Sequence, residues 1–167
     1  MKINMNLLIL THAIILIELV KAFGINKPTL EQFGYTIDSV KIDLSNKGIQ
    51  TIDSTTFANF SKLEILYLHE NIIEKIELGT FNQLINLREL WLETNRIVSI
   101  PKSVVTGLSN LRLFCIYNNP LSIYNPSQVS SLCSSNKNCD LEMNESCKKK
   151  TTTTKITTTK GLLFLNK

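Results

Sequence analysis

One pattern recurs every 24 residues through the middle of this chain. The segments that open at Leu63, Leu87 and Leu111 read LEILYLHENII, LRELWLETNRI and LRLFCIYNNPL, and a weaker copy opens one period earlier at Ser39. A period between about 20 and 50 residues is the mark of a stacked array, in which each unit buries its apolar side against its neighbours. This one regularity excludes most compact folds. It also gives every residue from 39 to 132 an address between 1 and 24.

Positions 4 and 6 are Ile42 and Leu44, Leu66 and Leu68, Leu90 and Leu92, Phe114 and Ile116. They alternate with polar or aromatic residues, which predicts a short strand with one buried face. Position 9 is Asn71, Asn95 and Asn119. A carboxamide both donates and accepts, so stacked asparagines predict a ladder that satisfies backbone groups at the turn after each strand. The first copy has Lys47 at that position, which predicts that the ladder stops there. Positions 11, 14, 19 and 22 carry Ile73, Ile76, Phe81 and Leu84 in the second copy, with equivalents in the others. These complete a continuous core, and the returning half of each repeat is expected as a short helix or 3₁₀ turn.

The flanks differ from the array. Residues 1–22 read as a signal peptide: Lys2 gives a positive start, Leu7 to Val20 is mostly apolar, and Val20 and Ala22 are small residues before a cut after Ala22. The apolar run falls short of the roughly 20 residues a bilayer span needs, so a cleaved signal is expected rather than an uncleaved anchor. Residues 23–38 are expected as an N-terminal cap, an extended edge segment burying Leu30, Phe33 and Ile37. Asn125-Pro126 reads as a helix start, with a helix from Pro126 to Leu132 closing the repeats of 39–132. Residues 133–147 would be a small cysteine-containing C-terminal cap. Residues 148–167 are rich in Lys and Thr, cannot bury a core, and are expected to be disordered.

Charge and cysteine follow the same division. The net charge is +4, but residues 23–147 hold ten basic and thirteen acidic side chains, while 148–167 hold six lysines and no acid. The basic character belongs to the tail, so the body offers no nucleic-acid-binding face. The four cysteines are Cys115, Cys133, Cys139 and Cys147. In a secreted chain they are expected in disulfides, with three full pairings open. Cys115 either reaches a cap cysteine or stays unpaired; an unpaired thiol would allow a disulfide-linked dimer, and a non-covalent dimer is also open. Asn59 and Asn144 match the N-glycosylation acceptor pattern.

Residues 39–132 resemble the extracellular leucine-rich repeat proteins of the 24-residue class. Short secreted forms are similar to invertebrate leucine-rich immune proteins. The resemblance implies an α/β fold: a curved, right-handed leucine-rich repeat solenoid of about four repeats. A parallel β-sheet would line its concave face, with short helices or 3₁₀ turns on the convex side. It also implies a non-catalytic, secreted recognition module that binds a protein ligand on the concave face. The cysteines usual in the N-terminal cap are missing, and Asn119-Pro120 leads into LSIYNPS rather than a Cys-x-Cys.

Side chains between the buried strand positions point away from the core. Position 5 is Asp43, Tyr67, Trp91 and Cys115, and position 7 is Ser45, His69, Glu93 and Tyr117. Arg88 and Arg112 flank them at position 2. The candidate partner-binding residues are therefore Asp43, Tyr67, His69, Arg88, Trp91, Glu93, Arg112 and Tyr117. Tyr67, Trp91 and Tyr117 are the expected anchors, since hot spots are enriched in such residues, and Trp91 is expected to be exposed. His69 and Glu93 are expected as a solvent-exposed lateral pair. Three convergent metal ligands are not evident, nor is a nucleophile with base and orienter, so neither metal, cofactor nor catalysis is expected. Two other readings are a matrix or adhesion protein holding acidic polysaccharide through its basic tail, and a truncated receptor ectodomain.

Overall fold

The computed structural model describes residues 14–15, 24–132 and 140–142. The expected signal peptide (except the helical, exposed Ile14 and Ile15), Cys133, Cys139, Cys147, Asn144 and the tail 148–167 lie outside the described residues.

Four strands occupy the same address in successive repeats: β1 (Lys41–Asp43), β2 (Ile65–Tyr67), β3 (Glu89–Trp91) and β4 (Leu113–Cys115). They pair in parallel and in sequence order, Ile42 opposite Leu66, Leu66 opposite Leu90, and Leu90 opposite Phe114. Each register step is one full period, and the expected solenoid is present. A fifth strand, β5 (Asp140–Glu142), adds in parallel to β4, with Leu113 opposite Asp140 and Cys115 opposite Glu142. It has no repeat pattern of its own.

The core follows the addresses. Positions 4 and 6 are fully buried in all four repeats, as are Ile49, Ile73, Ile97 and Leu121 at position 11. Phe57 and Phe81 stack one repeat apart with ring centroids 5.8 Å apart. Such rings contribute large apolar area to a core that no single repeat closes.

The returning halves divide between the two expected forms. The third forms a helix, α2 (Ser103–Thr106), and the helix Pro126–Leu132 lies in the fourth. The first is a chain of turns in which the N–H of Thr56, Ala58, Phe60 and Leu63 each donates three residues back. Thr55 and Thr56 are β-branched, and Asp53 bonds Thr55 at both backbone N–H and hydroxyl, which favours turns over helix.

Both ends differ in part from expectation. The N-terminal segment is a helix, α1 (Lys27–Gln32), not an extended edge. The Asn26 side chain accepts from the Thr29 N–H as N-cap, and Pro28 sits in the first turn. Leu30 is buried and Phe33 packs on the core, but Ile37 is 47% exposed, because the chain has already turned out at Gly34 (φ 86°). Ile25 makes a parallel bridge to Ile52, and the Thr56 hydroxyl donates to the Ile25 carbonyl, tying this segment to the first repeat. Gly24 (φ 77°) lies so close to Thr51 that a Cβ has no room. At the other end α3 (Pro120–Tyr124), which the pattern does not announce, precedes α4 (Pro126–Leu132).

Candidate functional site

The asparagine positions hold the turns after the strands. Asn71 accepts from the N–H groups of Lys47 and Ile49 and donates to the carbonyls of Leu44 and Leu68, all within 3.0 Å. Asn95 accepts from Ile73 and donates to Leu68 and Leu92; Asn119 accepts from Ile97 and donates to Leu92 and Ile116. Each carboxamide therefore stitches its own repeat to the one before. The first turn, with Lys47 at position 9, is served by Asn71 of the next repeat. In the turns that lead into the strands a second pair acts similarly: Asn86 donates to the Ser61 carbonyl and Asn110 to that of Ile85. Both stand at position 24, and that recurrence is the signal that would have found them.

The residue after position 7 adopts a left-handed backbone in every repeat: Asn46, Glu70, Thr94 and Asn118 have φ between 54° and 56°. This bend ends each strand. Asparagine tolerates it; a β-branched threonine is strained there.

The outward face of the sheet carries the candidate residues and divides into two halves. Toward β1 it is open: Lys41 and Asp43 are exposed, Ser45 and Tyr67 partly so. Toward β4 it is closed: Trp91 is 3% exposed and Cys115 0%. The expected exposure of Trp91 is thus corrected. Its ring meets Tyr67 edge-on at 5.5 Å, joins a second apolar cluster with Leu113 and Cys115, and its indole N–H donates to Glu89 Oε2 at 3.0 Å. Strands about 4.8 Å apart bring large side chains into lateral contact, so pointing away from the core does not make a residue exposed. Cys115, the one cysteine among the described residues, is disulfide-bonded.

His69 and Glu93 do meet, but not in solvent. His69 Nδ1 lies 3.8 Å from Glu93 Oε1, and both side chains are about nine-tenths buried or more. Tyr67 and Trp91 flank the imidazole at 5.6 and 6.5 Å. Glu93 Oε2 has no hydrogen-bond donor among the described residues. Burial pushes the Glu93 carboxyl up to about 7, its own backbone N–H opposes the rise, and Glu70 adds to it.

In the open half Asp43 behaves oppositely. Burial works to raise its carboxyl, but hydrogen bonds from the Ser45 hydroxyl and N–H, with His69 and Lys41 nearby, hold it below the usual value. The Asp43 backbone is also secured, since its N–H donates to the Tyr35 hydroxyl, which in turn donates to the Asp43 carbonyl. That single phenol closes an otherwise open strand edge. The Lys41 ammonium lies over the Tyr67 ring, 4.6 Å from its centroid. Arg88 pairs with Glu64 at 3.2 Å, Arg112 is exposed, and Tyr117, two residues past the end of β4, is partly buried. Asn59 is exposed on the convex return, with φ 70° and its N–H donating to Gln83 Oε1. Among the described residues no three potential metal ligands converge, and no helix is long and apolar enough to cross a membrane.

Comparison with known proteins agrees with this architecture. The family model described as leucine rich repeat matches residues 40–97. A chain of the Drosophila Toll–Spatzle complex superposes with a TM-score of 0.57 at 23% identity, covering 69% of this chain and 16% of that one. A leucine-rich repeat protein of Leptospira interrogans gives 0.53 at 23% identity, covering 62% and 25%. An internalin C2 of Listeria monocytogenes gives 0.50 at 21%, covering 71% and 56%. No curated protein sequence matches the chain. The chain spans from about a sixth to just over half of the length of these structures. At such identities the likeness shows the fold, a leucine-rich repeat solenoid.

Proposed function

We propose that this chain is a secreted, non-catalytic recognition module that binds a protein ligand on the concave face of its sheet, in the open half around Tyr67. The observation that carries the reading is the mixture presented there: an aromatic ring, a lysine and an ionised aspartate side by side on a strand framework held by the asparagine ladder. Interface cores favour an aromatic anchor with polar groups around it, and rigid elements fix such a set better than loops. The Toll–Spatzle complex, whose fold is similar, is described as a hub in development and innate immunity, and an immune role is the natural extension here. Trp91 supports the site from beneath rather than touching the ligand.

Secretion fits the apolar N-terminal segment and the bonded Cys115. The bond from Cys115 would anchor the C-terminal cap to β4 within one chain, and a second bridge between the two remaining cap cysteines would leave no thiol for a covalent dimer. Non-reducing gels should then show a monomer.

The test is affinity capture from extracellular fluid by the immobilised full chain, with two surface variants. Ser45→Arg fills the open half; Glu74→Arg alters an exposed position outside it. A partner kept by Glu74→Arg and lost with Ser45→Arg is expected. Equal capture by both would remove the concave reading.

A further inference from the structure

The Lys41 ammonium is the informative group of the open half. It lies 4.6 Å from the centroid of Tyr67, and no carboxylate of the described residues is within ion-pair distance of it. The ring is its close contact, and the Asp43 carboxylate attracts it from farther off. A phenol face attracts cations through its quadrupole, and the Asp43 and Glu89 carboxylates reinforce that field at this ring. The Tyr67 hydroxyl is raised by burial first, then by Glu89, Asp43 and Glu93. Of these, Asp43 binds Ser45 through Oδ1 only, and Glu89 holds Trp91 through Oε2 only. Each keeps a second oxygen without a partner among the described residues. Glu93 Oε2, buried beside His69, is also without a donor. Lys41 thus stands where a foreign cation would sit, and being exposed it can swing away at small cost.

We infer that the Tyr67 ring, with the Asp43 and Glu89 carboxylates beside it, is a docking site for a lysine or arginine side chain of the protein ligand, which displaces Lys41. This rests on the concave reading above and gives it a chemistry: the ligand presents a basic segment. Charge complementarity favours it, since residues 23–147 carry a net acidic charge.

The probe is a labelled hexalysine peptide titrated into the full-length protein at low ionic strength and read by fluorescence anisotropy. Tyr67→Leu is expected to weaken binding roughly threefold to fivefold, while Tyr67→Phe, which keeps the ring, stays within about twofold. Asp43→Asn should weaken it about twofold to fivefold, and Lys41→Met should tighten it. Circular dichroism of each variant checks the fold. If Tyr67→Leu and Tyr67→Phe both bind like the parent, charge alone attracts the peptide and the site is not there. Absence of hexalysine binding overturns it as well. A full-length variant with the six lysines of 148–167 changed to Gln asks whether this chain fills its own site. Unchanged affinity supports an external ligand; a roughly tenfold gain assigns the site to the tail and overturns the proposal. Ligand capture sensitive to Ser45→Arg but not to Tyr67→Leu would sink this inference and leave the concave reading standing.

Discussion

Tyr67 and Trp91 hold the same address in adjacent repeats and are paired across the sheet, yet one is partly exposed and the other buried. The backbone treats them identically. What separates them is the next strand out. Tyr67 has Asp43 beside it, a short side chain that leaves the ring's outer side open. Trp91 has Cys115 beside it and Leu113 on the same strand. In a solenoid, the exposure of an outward side chain is decided by its lateral neighbours in the adjacent repeats, not by its address. The open half is therefore a place for a ligand, and the closed half is a small second core on the wrong side of the sheet.

The sharpest way to break that distinction is to truncate both rings. Trp91→Ala should cost about 3–5 kcal/mol, the usual range for an aromatic emptied from a core. The same measurement on Tyr67→Leu should show about 1 kcal/mol or less, since a half-exposed ring loses little buried area. Urea unfolding followed by circular dichroism reads both. Equal losses, or a Trp91 loss below about 1 kcal/mol, would mean the closed half is not a core.

Glu93 offers a second test, with the sign set by its raised carboxyl. Between about 4.5 and 7 the unfolded chain has released this proton and the folded chain still holds it. Stability from this group is full below 4.5 and is lost as pH rises through about 7, by about 3 kcal/mol at most. Asp43 and Asp53, held low, act oppositely and only as pH falls through the carboxylate range. Thermal melts from pH 5 to 8 should show a decline that Glu93→Gln flattens. A parent protein equally stable at both ends would show that Glu93 is solvated, and that the closed half is wet.

The period made the inner addresses legible, and it failed where a residue's environment is not periodic. Ile42, Leu66, Leu90 and Phe114 are buried because each repeats the last; Trp91 is buried because it does not resemble Asp43. Alternation separates core-facing from outward side chains, but it is blind to the lateral neighbour. The N-terminal helix was readable from Asn26, Pro28 and the spacing of Leu30 and Phe33, because a capping asparagine followed by proline marks a helix start rather than a strand edge. β5 was not readable, since its three residues lie 27 positions after their partners on β4, outside the period. The His69–Glu93 contact was legible as a pair, but its burial was not. Both facts follow from the same one-period offset, and only the second needs the third dimension.

A smaller effect sharpens the comparison at the backbone. All four residues that follow position 7 are left-handed, but the outer repeats supply Asn46 and Asn118, while the inner ones supply Glu70 and Thr94. Threonine pays most for this conformation, because its branched Cβ crowds the following carbonyl. Its hydroxyl returns little, accepting from the Asn118 carboxamide only at 3.4 Å. Thr94→Asn should therefore stabilise the fold by about 0.5–1 kcal/mol, while Asn46→Thr in the open half should destabilise it by a similar amount. Reciprocal shifts in the urea midpoint would show that the bend is imposed by stacking of the repeats. If Thr94→Asn gave no gain, the strain at β3 would be relieved locally. The backbone would then not be shared rigidly between the two halves, and the platform beneath Tyr67 would be softer than its hydrogen bonds imply.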